Sequence, residues 1–379
     1  MAKSRLLFVD NLRTLMIVKV ILVHLAITYG GSGGWYYYER PTTELSFIVL
    51  TFHNAVNQSF FMGLLFLLSA YLSVGSYDRK GPGPFLRDRF LRLGIPLLIF
   101  EFIIHPLQIY PLIRIGAIEI EGSFSDRLVR YYTSFHLGSG PLWFVETLLF
   151  FALIYTAIRL VRPRLPEARA EPTPPPSSKA ILLFGVVLGL LSFAVRLCWP
   201  VGWAFGPLNL QFPFFVQYLG MLVVGVIAYR HDWLLRLPRA TGRLWLGVGI
   251  FLIVVVFPIM FVAGGAPQGE VEPFMGGWHW QALAYAMWDQ VTGLAMMVGL
   301  IVFFRERLNR QGRLTREASA ASYTVYIIHT PVIILFALAV RDVTIYPLLK
   351  FVVVALVTIP LCFVLATGIR RLPGARRIL

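Results

Sequence analysis

Residues 244–263 read LWLGVGIFLIVVVFPIMFVA, twenty positions without one charged side chain. At 1.5 Å per residue such a run, coiled as a helix, is about 30 Å long, which is the thickness of the hydrocarbon core of a bilayer. Reading outward from it in both directions gives nine more such runs: about 11–30, 50–75, 94–115, 141–161, 180–199, 212–230, 282–304, 323–340 and 348–367. The composition agrees. Of 379 residues, 57% are apolar (AVILMFWYC) and only 14% charged, against roughly 25% charged in soluble domains. So little polar surface cannot cover so large an apolar interior, which excludes a soluble enzyme, a disordered chain and a secreted disulfide scaffold. The pattern predicts an all-α polytopic membrane helix bundle of about ten transmembrane helices. The first run is not read as a cleavable signal peptide, because Lys19 and His24 interrupt its apolar core and no small-residue cleavage site follows.

The net charge of +15 would suggest nucleic acid in a soluble protein. Here its distribution gives a different answer. Alternate loops and the two termini hold 26 Lys and Arg, the opposite loops hold 5, and Lys19, Arg196 and Lys350 fall inside spans. By the positive-inside rule both termini are expected in the cytoplasm, with no nucleic-acid partner. The chain reads as a single domain over 1–379. Spans one to four lie within 1–161, and a cytoplasmic linker with six prolines covers 162–179. Spans five to ten lie within 180–367, and a basic tail fills 368–379. No internal repeat is visible, which weighs against an inverted-repeat transporter. Cys198 and Cys362 offer no disulfide or zinc spacing, and no metal is expected. The loops 31–46 and 264–281 are rich in Gly, Trp and Tyr. They read either as interfacial belts or as the mouth of a site for sugar rings.

Ionisable and amide side chains inside spans are costly in lipid and mark candidate sites. Arg13 and His24 lie eleven residues apart on span one, about 20° past three full turns, so they share a face and stand about 16 Å apart along the axis. Asp10, three residues before Arg13, is placed to orient it. Each has a plainer reading: Arg13 as a snorkelling anchor, His24 as a core histidine bonded to a neighbouring helix. Lys19 points about 120° away from this stripe and is expected in a structural ion pair. Span two carries His53, Asn54, Asn57 and Gln58, one polar face suited to a hydroxyl-rich ligand as well as to helix packing. Glu101 and His105 form an i,i+4 pair in span three. Glu146 and Asp289/Gln290 lie about two turns inside spans four and eight, and each of the carboxylates is a candidate to orient a histidine. Gly185 and Gly189 have the GxxxG spacing of close helix packing.

Several of these segments, taken in order, resemble the acyltransferase-3 family of multi-pass membrane acyltransferases. Asp10-Asn11-Leu12-Arg13 followed by His24 matches its Arg-x10-His signature. Next come Phe66-Leu67-Leu68-Ser69-Ala70-Tyr71-Leu72, then Arg87-x-Arg89-x-x-Arg92-Leu93-x-Ile95-Pro96. Gly140-Pro141-Leu142-Trp143-Phe144 and Tyr323-x-x-Tyr326-x-x-His329-x-Pro331 complete the series. Ala70 departs from the glycine usual after the serine, and no hydrolase-like domain follows the spans, unlike some members. Among subgroups the chain looks most like glucan biosynthesis protein C, which acylates exported glucans.

The resemblance implies a transferase of the bacterial cytoplasmic (inner) membrane. It would move an acetyl or succinyl group from cytoplasmic acyl-CoA to a hydroxyl of an envelope or exported glycan or glycolipid. Arg13 and His24 carry over as the functional pair. Arginine suits the phosphates of coenzyme A through charge-assisted forked bonds, and Arg79, Lys80, Arg87, Arg89 and Arg92 are a candidate cradle for them. The same basic loops also serve as topology signals and contacts to anionic membrane lipids. An extended pantetheine arm is long enough to reach His24, which either removes the acceptor proton or carries the acyl group covalently. His329, read as 9–10 Å inside the cytoplasmic end of span nine, is expected beside the donor arm or within a Tyr-His packing cluster. His53, Asn57, Glu146 and Asp289 are the candidate acceptor-binding residues. A transporter or flippase whose polar residues line a path is the alternative, and an inert membrane scaffold a third.

Overall fold

The computed structural model describes residues 5–40, 42–119, 121–133, 138–162 and 173–379. Most of the Pro-rich linker lies outside them, as do Arg164 and Arg169. Ten described helices are long and apolar enough to cross a membrane. They are spans 1 to 10: Leu7–Thr28, Glu44–Lys80, Pro82–Arg114, Gly140–Val161, Ser178–Cys198, Phe212–Arg230, Arg239–Ala263, Trp280–Arg307, Arg313–Ala339 and Pro347–Ile369. No β-strand occurs among the described residues; the one isolated bridge joins Phe205 and Leu210. In lipid every backbone group needs an internal partner, which helices supply by themselves. Ten crossings return the chain to the face from which it started, here termed the terminal face.

Span 2 is the innermost element and span 8 the next. The second arm of span 2 packs along span 6, while span 8 contacts spans 1, 5 and 7. Span 2 is not one rod. Its arms Glu44–Gln58 and Phe61–Lys80 meet at a bend at Ser59 and Phe60. The Ser59 carbonyl freed there accepts a hydrogen bond from Gln217 of span 6 at 2.7 Å. Span 8 closes on the same bend at Gly293, where a Cβ would come within 2.1 Å of the Ser59 oxygen. Only glycine fits that contact.

Span 3 is bent by its prolines, and the freed carbonyls again find partners. Pro96 has no N–H for the Arg92 carbonyl four residues back. The chain widens to a π turn over Phe90–Gly94, and the Tyr323 hydroxyl of span 9 donates to the Arg92 oxygen. Pro106 repeats the device: a π turn covers Phe100–Ile104, and Tyr132 donates to the Phe102 carbonyl at 2.7 Å. Tyr131 donates to the Glu101 carbonyl at 2.8 Å. Both tyrosines belong to the short surface helix Phe124–Thr133 on the face opposite the termini.

Three expectations change. Span 9 begins at Arg313, ten residues earlier than its apolar run, because the small and polar segment Arg313–Ser322 continues the same helix. Lys19 is in no ion pair among the described residues; it lies within electrostatic reach of His53. Glu101 and His105 form no ion pair or side-chain hydrogen bond; the π turn runs between them, and the Glu101 backbone, not its carboxylate, is engaged.

Candidate active site

Span 1 is pinned at its start. Asn11 donates to the carbonyls of Leu308 and Arg310 at 2.7 and 3.0 Å and accepts from Gln311 at 2.9 Å. The opening motif is thereby fixed to the loop between spans 8 and 9. Two residues on, Arg13 is about one-third exposed and stands 3.7 Å from Asp10, whose tighter partner is Arg5 at 2.6 Å.

Seventeen residues from its first helical position, about 25 Å along the axis, span 1 presents His24, one turn short of its far end. Its imidazole stacks on Trp35 with centroids 3.9 Å apart and planes at 16°. His329 lies on the other side, at 5.3 Å and 21°, and Trp35 and His329 are 6.4 Å apart. Three rings from span 1, the following loop and span 9 are thus nearly parallel. In that arrangement the ring nitrogens point sideways out of the stack, so the two histidines cannot bond to each other. The orphan atoms reflect this. His24 Nδ1, Trp35 Nε1 and His329 Nε2 are all buried without a hydrogen-bond partner, an arrangement that natural interiors avoid.

His329 is in a defined tautomer. Its Nδ1 is 2.6 Å from the Tyr326 carbonyl, which can only accept, so Nδ1 carries the proton and Nε2 the lone pair. The three-residue spacing of Tyr323, Tyr326 and His329 puts them along one side of span 9, and each has a task. Tyr323 caps Arg92 of span 3, Tyr326 donates to the Pro141 carbonyl entering span 4, and His329 enters the ring stack.

Beside Pro141, the missing side chain of Gly140 leaves room for a second group: a Cβ there would meet the Tyr36 oxygen at 2.3 Å. Tyr36 shares a 3.1 Å hydrogen bond with His105 Nδ1 and packs edge-on against Trp35 at 5.2 Å. Burial pushes its phenol pKa up, so it stays a neutral hydroxyl. Glu146 lies five residues past Pro141, nearly buried and with Oε2 unpartnered.

The candidate residues therefore divide. His329 joins His24 in the half of the bundle away from the terminal face. It is 16 residues, about 24 Å, from the start of its helix, not the expected 9–10 Å, because the helix starts ten residues before its apolar run. Of the basic residues, Arg89 faces inward. It donates to Ser73 at 3.3 Å, lies 5.0 Å over Phe85, keeps a buried unpartnered Nε, and is within electrostatic reach of Arg13, Arg92 and Tyr323. Lys80 and Arg92 are exposed and share Asp88 at 3.1 and 3.2 Å. Arg79 and Arg87 are exposed at the surface.

The polar face of span 2 is mostly engaged in packing. Asn54 donates to the Ser32 carbonyl, Gln58 to Tyr218, and Asn57 to the His53 carbonyl, leaving Asn57 Oδ1 buried and free. His53 packs against Phe351 of span 10 and makes no ring contact with the stack. Asp289 is in a buried ion pair with Arg196 at 2.6 Å. Trp35 and Tyr36 are the residues sequence reading did not single out. Their one signal is the glycine-rich, aromatic loop in which they lie.

A family model described as an acyltransferase domain matches residues 6–367. The chain belongs to that family, the acyltransferase-3 family of membrane acyltransferases. No curated protein and no solved structure matches it.

Proposed function

We propose that this family member is an O-acyltransferase of the bacterial cytoplasmic membrane with both termini in the cytoplasm. It moves an acetyl or succinyl group from cytoplasmic acyl-CoA to a hydroxyl of an envelope or exported glycan or glycolipid, in the manner of the glucan-acylating members. The observation that carries this reading is the stack of His24, Trp35 and His329 near the far end of span 1, on the helix whose terminal end bears Arg13. The distance between Arg13 and His24, about 16 Å along the axis, suits a donor whose phosphates and reacting thioester lie at opposite ends of a long arm.

In this scheme Arg13 and Arg89 hold the donor phosphates at the terminal mouth. His329 Nε2, a lone pair with no partner in the chain, accepts an N–H from the amide-bearing arm. His24 takes the proton of the acceptor hydroxyl as its oxygen attacks the thioester carbonyl. The C–O bond forms, the C–S bond breaks, and the proton passes on to the departing thiolate, leaving free coenzyme A thiol and an ester. The face of Trp35 lies against His24 and stabilises the imidazolium formed in between.

The test is transfer from labelled acetyl-CoA or succinyl-CoA to a panel of glycans by the purified protein in liposomes. Esterified glycan and free thiol are expected together, and both should vanish in His24→Ala. Movement of glycan across the bilayer without esterification would replace this reading with a flippase.

A further inference from the structure

The loop that carries Trp35 begins Gly30-Gly31-Ser32-Gly33-Gly34. Glycine loses more freedom on ordering than any other residue, so this arm gives Trp35 little hold of its own. Its outer part, Ser32 to Gly34, is exposed. What keeps the indole face on His24 has to act from beyond the glycines. Trp35 N–H donates to the Tyr38 hydroxyl at 2.7 Å, and that hydroxyl donates to the Gly33 carbonyl at 3.2 Å, which closes the loop on itself but ties it to no span.

A firmer anchor lies four residues past Trp35. Glu39 Oε1 accepts from the ammonium of Lys350 at 2.5 Å, in the first turn of span 10. Lys350 is 2% exposed. Its ammonium also donates to the carbonyls of Val343 and Arg341 at 2.8 and 3.3 Å, both in the loop that leads from span 9 into span 10. An ammonium has three protons to give, and here each has an acceptor. The same nitrogen lies 5.9 Å from the centre of the Tyr29 ring. Glu39 is bound back to span 1 as well. Its N–H donates to the Thr28 carbonyl at 2.8 Å, and the Thr28 hydroxyl donates to the His24 carbonyl at 3.0 Å. The two rings that flank His24 come from the loop after span 1 and from span 9. One ammonium thus ties together the elements that supply both.

We infer that Lys350 and Glu39 are positioning residues for the ring stack: their ion pair holds the face of Trp35 on His24 and fixes the end of span 9 beside it. This rests on the acyltransfer reading above and adds the groups that keep its acid–base residue in place. Neither side chain is catalytic; both act through the rings. Arg305 offers a comparison. It also donates to three backbone carbonyls, those of Leu234, Leu235 and Leu237 at 3.0, 2.9 and 2.7 Å, but near the terminal end of span 8, where it staples the loop between spans 6 and 7 and bonds to nothing in the stack.

The experiment uses the full chain, in liposomes for the transfer assay above and in detergent with labelled histidine for NMR. Lys350→Met and Glu39→Ala should each lower kcat about ten-fold or more, within what a misplacement of about 1 Å produces, and leave the donor KM within about two-fold. Glu39→Ala leaves the ammonium on its two carbonyls, so the spans stay joined while the loop is released. Lys350→Arg keeps the charge and its donors and should return kcat to within about three-fold of native. Arg305→Met should lower the thermal unfolding midpoint and leave kcat unchanged. In a Trp35→Leu background the loss caused by Lys350→Met should shrink below about two-fold, because the ring it holds is gone. In the native protein the stacked indole face shifts the His24 ring protons upfield. That signature should disappear in Lys350→Met and Glu39→Ala and persist in Arg305→Met.

A His24 signal unmoved in both variants would overturn the inference. So would an equal loss of kcat in Arg305→Met, or a full loss from Lys350→Met in the Trp35→Leu background, and either result would leave the acyltransfer reading standing. If the native protein esterified no glycan while the His24 signal still depended on both residues, the acyltransfer reading would fall and the hold on the stack would remain.

Discussion

Two polar clusters lie buried among the spans, and they solve the cost of polarity in lipid in opposite ways. In one, Arg196 of span 5 and Asp289 of span 8 form a 2.6 Å ion pair. Gln290 also donates to Asp289 at 3.2 Å, the Arg196 Nε donates to the Pro213 carbonyl at 3.3 Å, and the guanidinium lies between the rings of Phe214 and Tyr285. In the other, His24, Trp35 and His329 are stacked rings that carry three unpartnered nitrogens. The first cluster also keeps three buried unpartnered atoms, Arg196 Nη1, Asp289 Oδ1 and Gln290 Oε1, but its opposite charges offset one another within the protein. The second has no opposite charges and is held by ring stacking, with His329 Nδ1 bonded to the Tyr326 carbonyl. Both contain groups that a sequence reading marks as candidates, and the difference lies in what already surrounds them.

The sharpest way to break this contrast is to remove one member from each side. His24→Ala should cut acyl transfer by about 10²–10⁴-fold, the usual contribution of a positioned acid–base group, with the thermal unfolding midpoint in detergent unmoved. If turnover persists, the stack is only packing and the contrast collapses. Asp289→Ala should behave inversely, costing about 3–5 kcal/mol of stability by stranding a buried guanidinium. Pairing Arg196→Met with Asp289→Leu should recover most of that loss, because the pair as a whole adds little over well-packed apolar groups. A double variant that stays as unstable as the single one would mean the ion pair does more than staple two spans.

Smaller effects sharpen the donor side of the comparison. His329→Ala removes one hydrogen-bond acceptor and is expected to raise the donor KM about ten-fold, with a much smaller change in kcat. A loss confined to kcat would move His329 from the donor arm to the proton transfer itself. At the terminal mouth, Arg89→Ala should raise the donor KM about three-fold, whereas Arg79→Ala should leave it where it was. Equal effects would show that the whole basic loop acts as a diffuse field.

The ten spans were legible because hydrophobic runs of about twenty residues leave few alternatives in lipid. The pairing of Arg13 with His24 on one helix face followed from helical periodicity alone. What remained hidden depends on long-range contact. Nothing local to Asp289 reveals that Arg196, 93 residues earlier, neutralises it. Nothing local to His329 says that the polar stretch from Arg313 extends its helix and carries it into the half away from the terminal face. Trp35 lies in a loop whose composition fits a membrane belt equally well, and only the fold turns its face onto His24. Lys19 errs in the other direction: it is only half-buried and has no ion-pair partner among the described residues, so the charge does not require one.

The proline bends have a consequence for how the protein is made. Arg92 of span 3 leaves the ribosome with a carbonyl that its own helix cannot satisfy, because Pro96 offers no N–H. Its donor, Tyr323, is synthesised 231 residues later, on span 9. The third span therefore has one backbone hydrogen bond that only the ninth can complete, which ties two segments far apart in the chain.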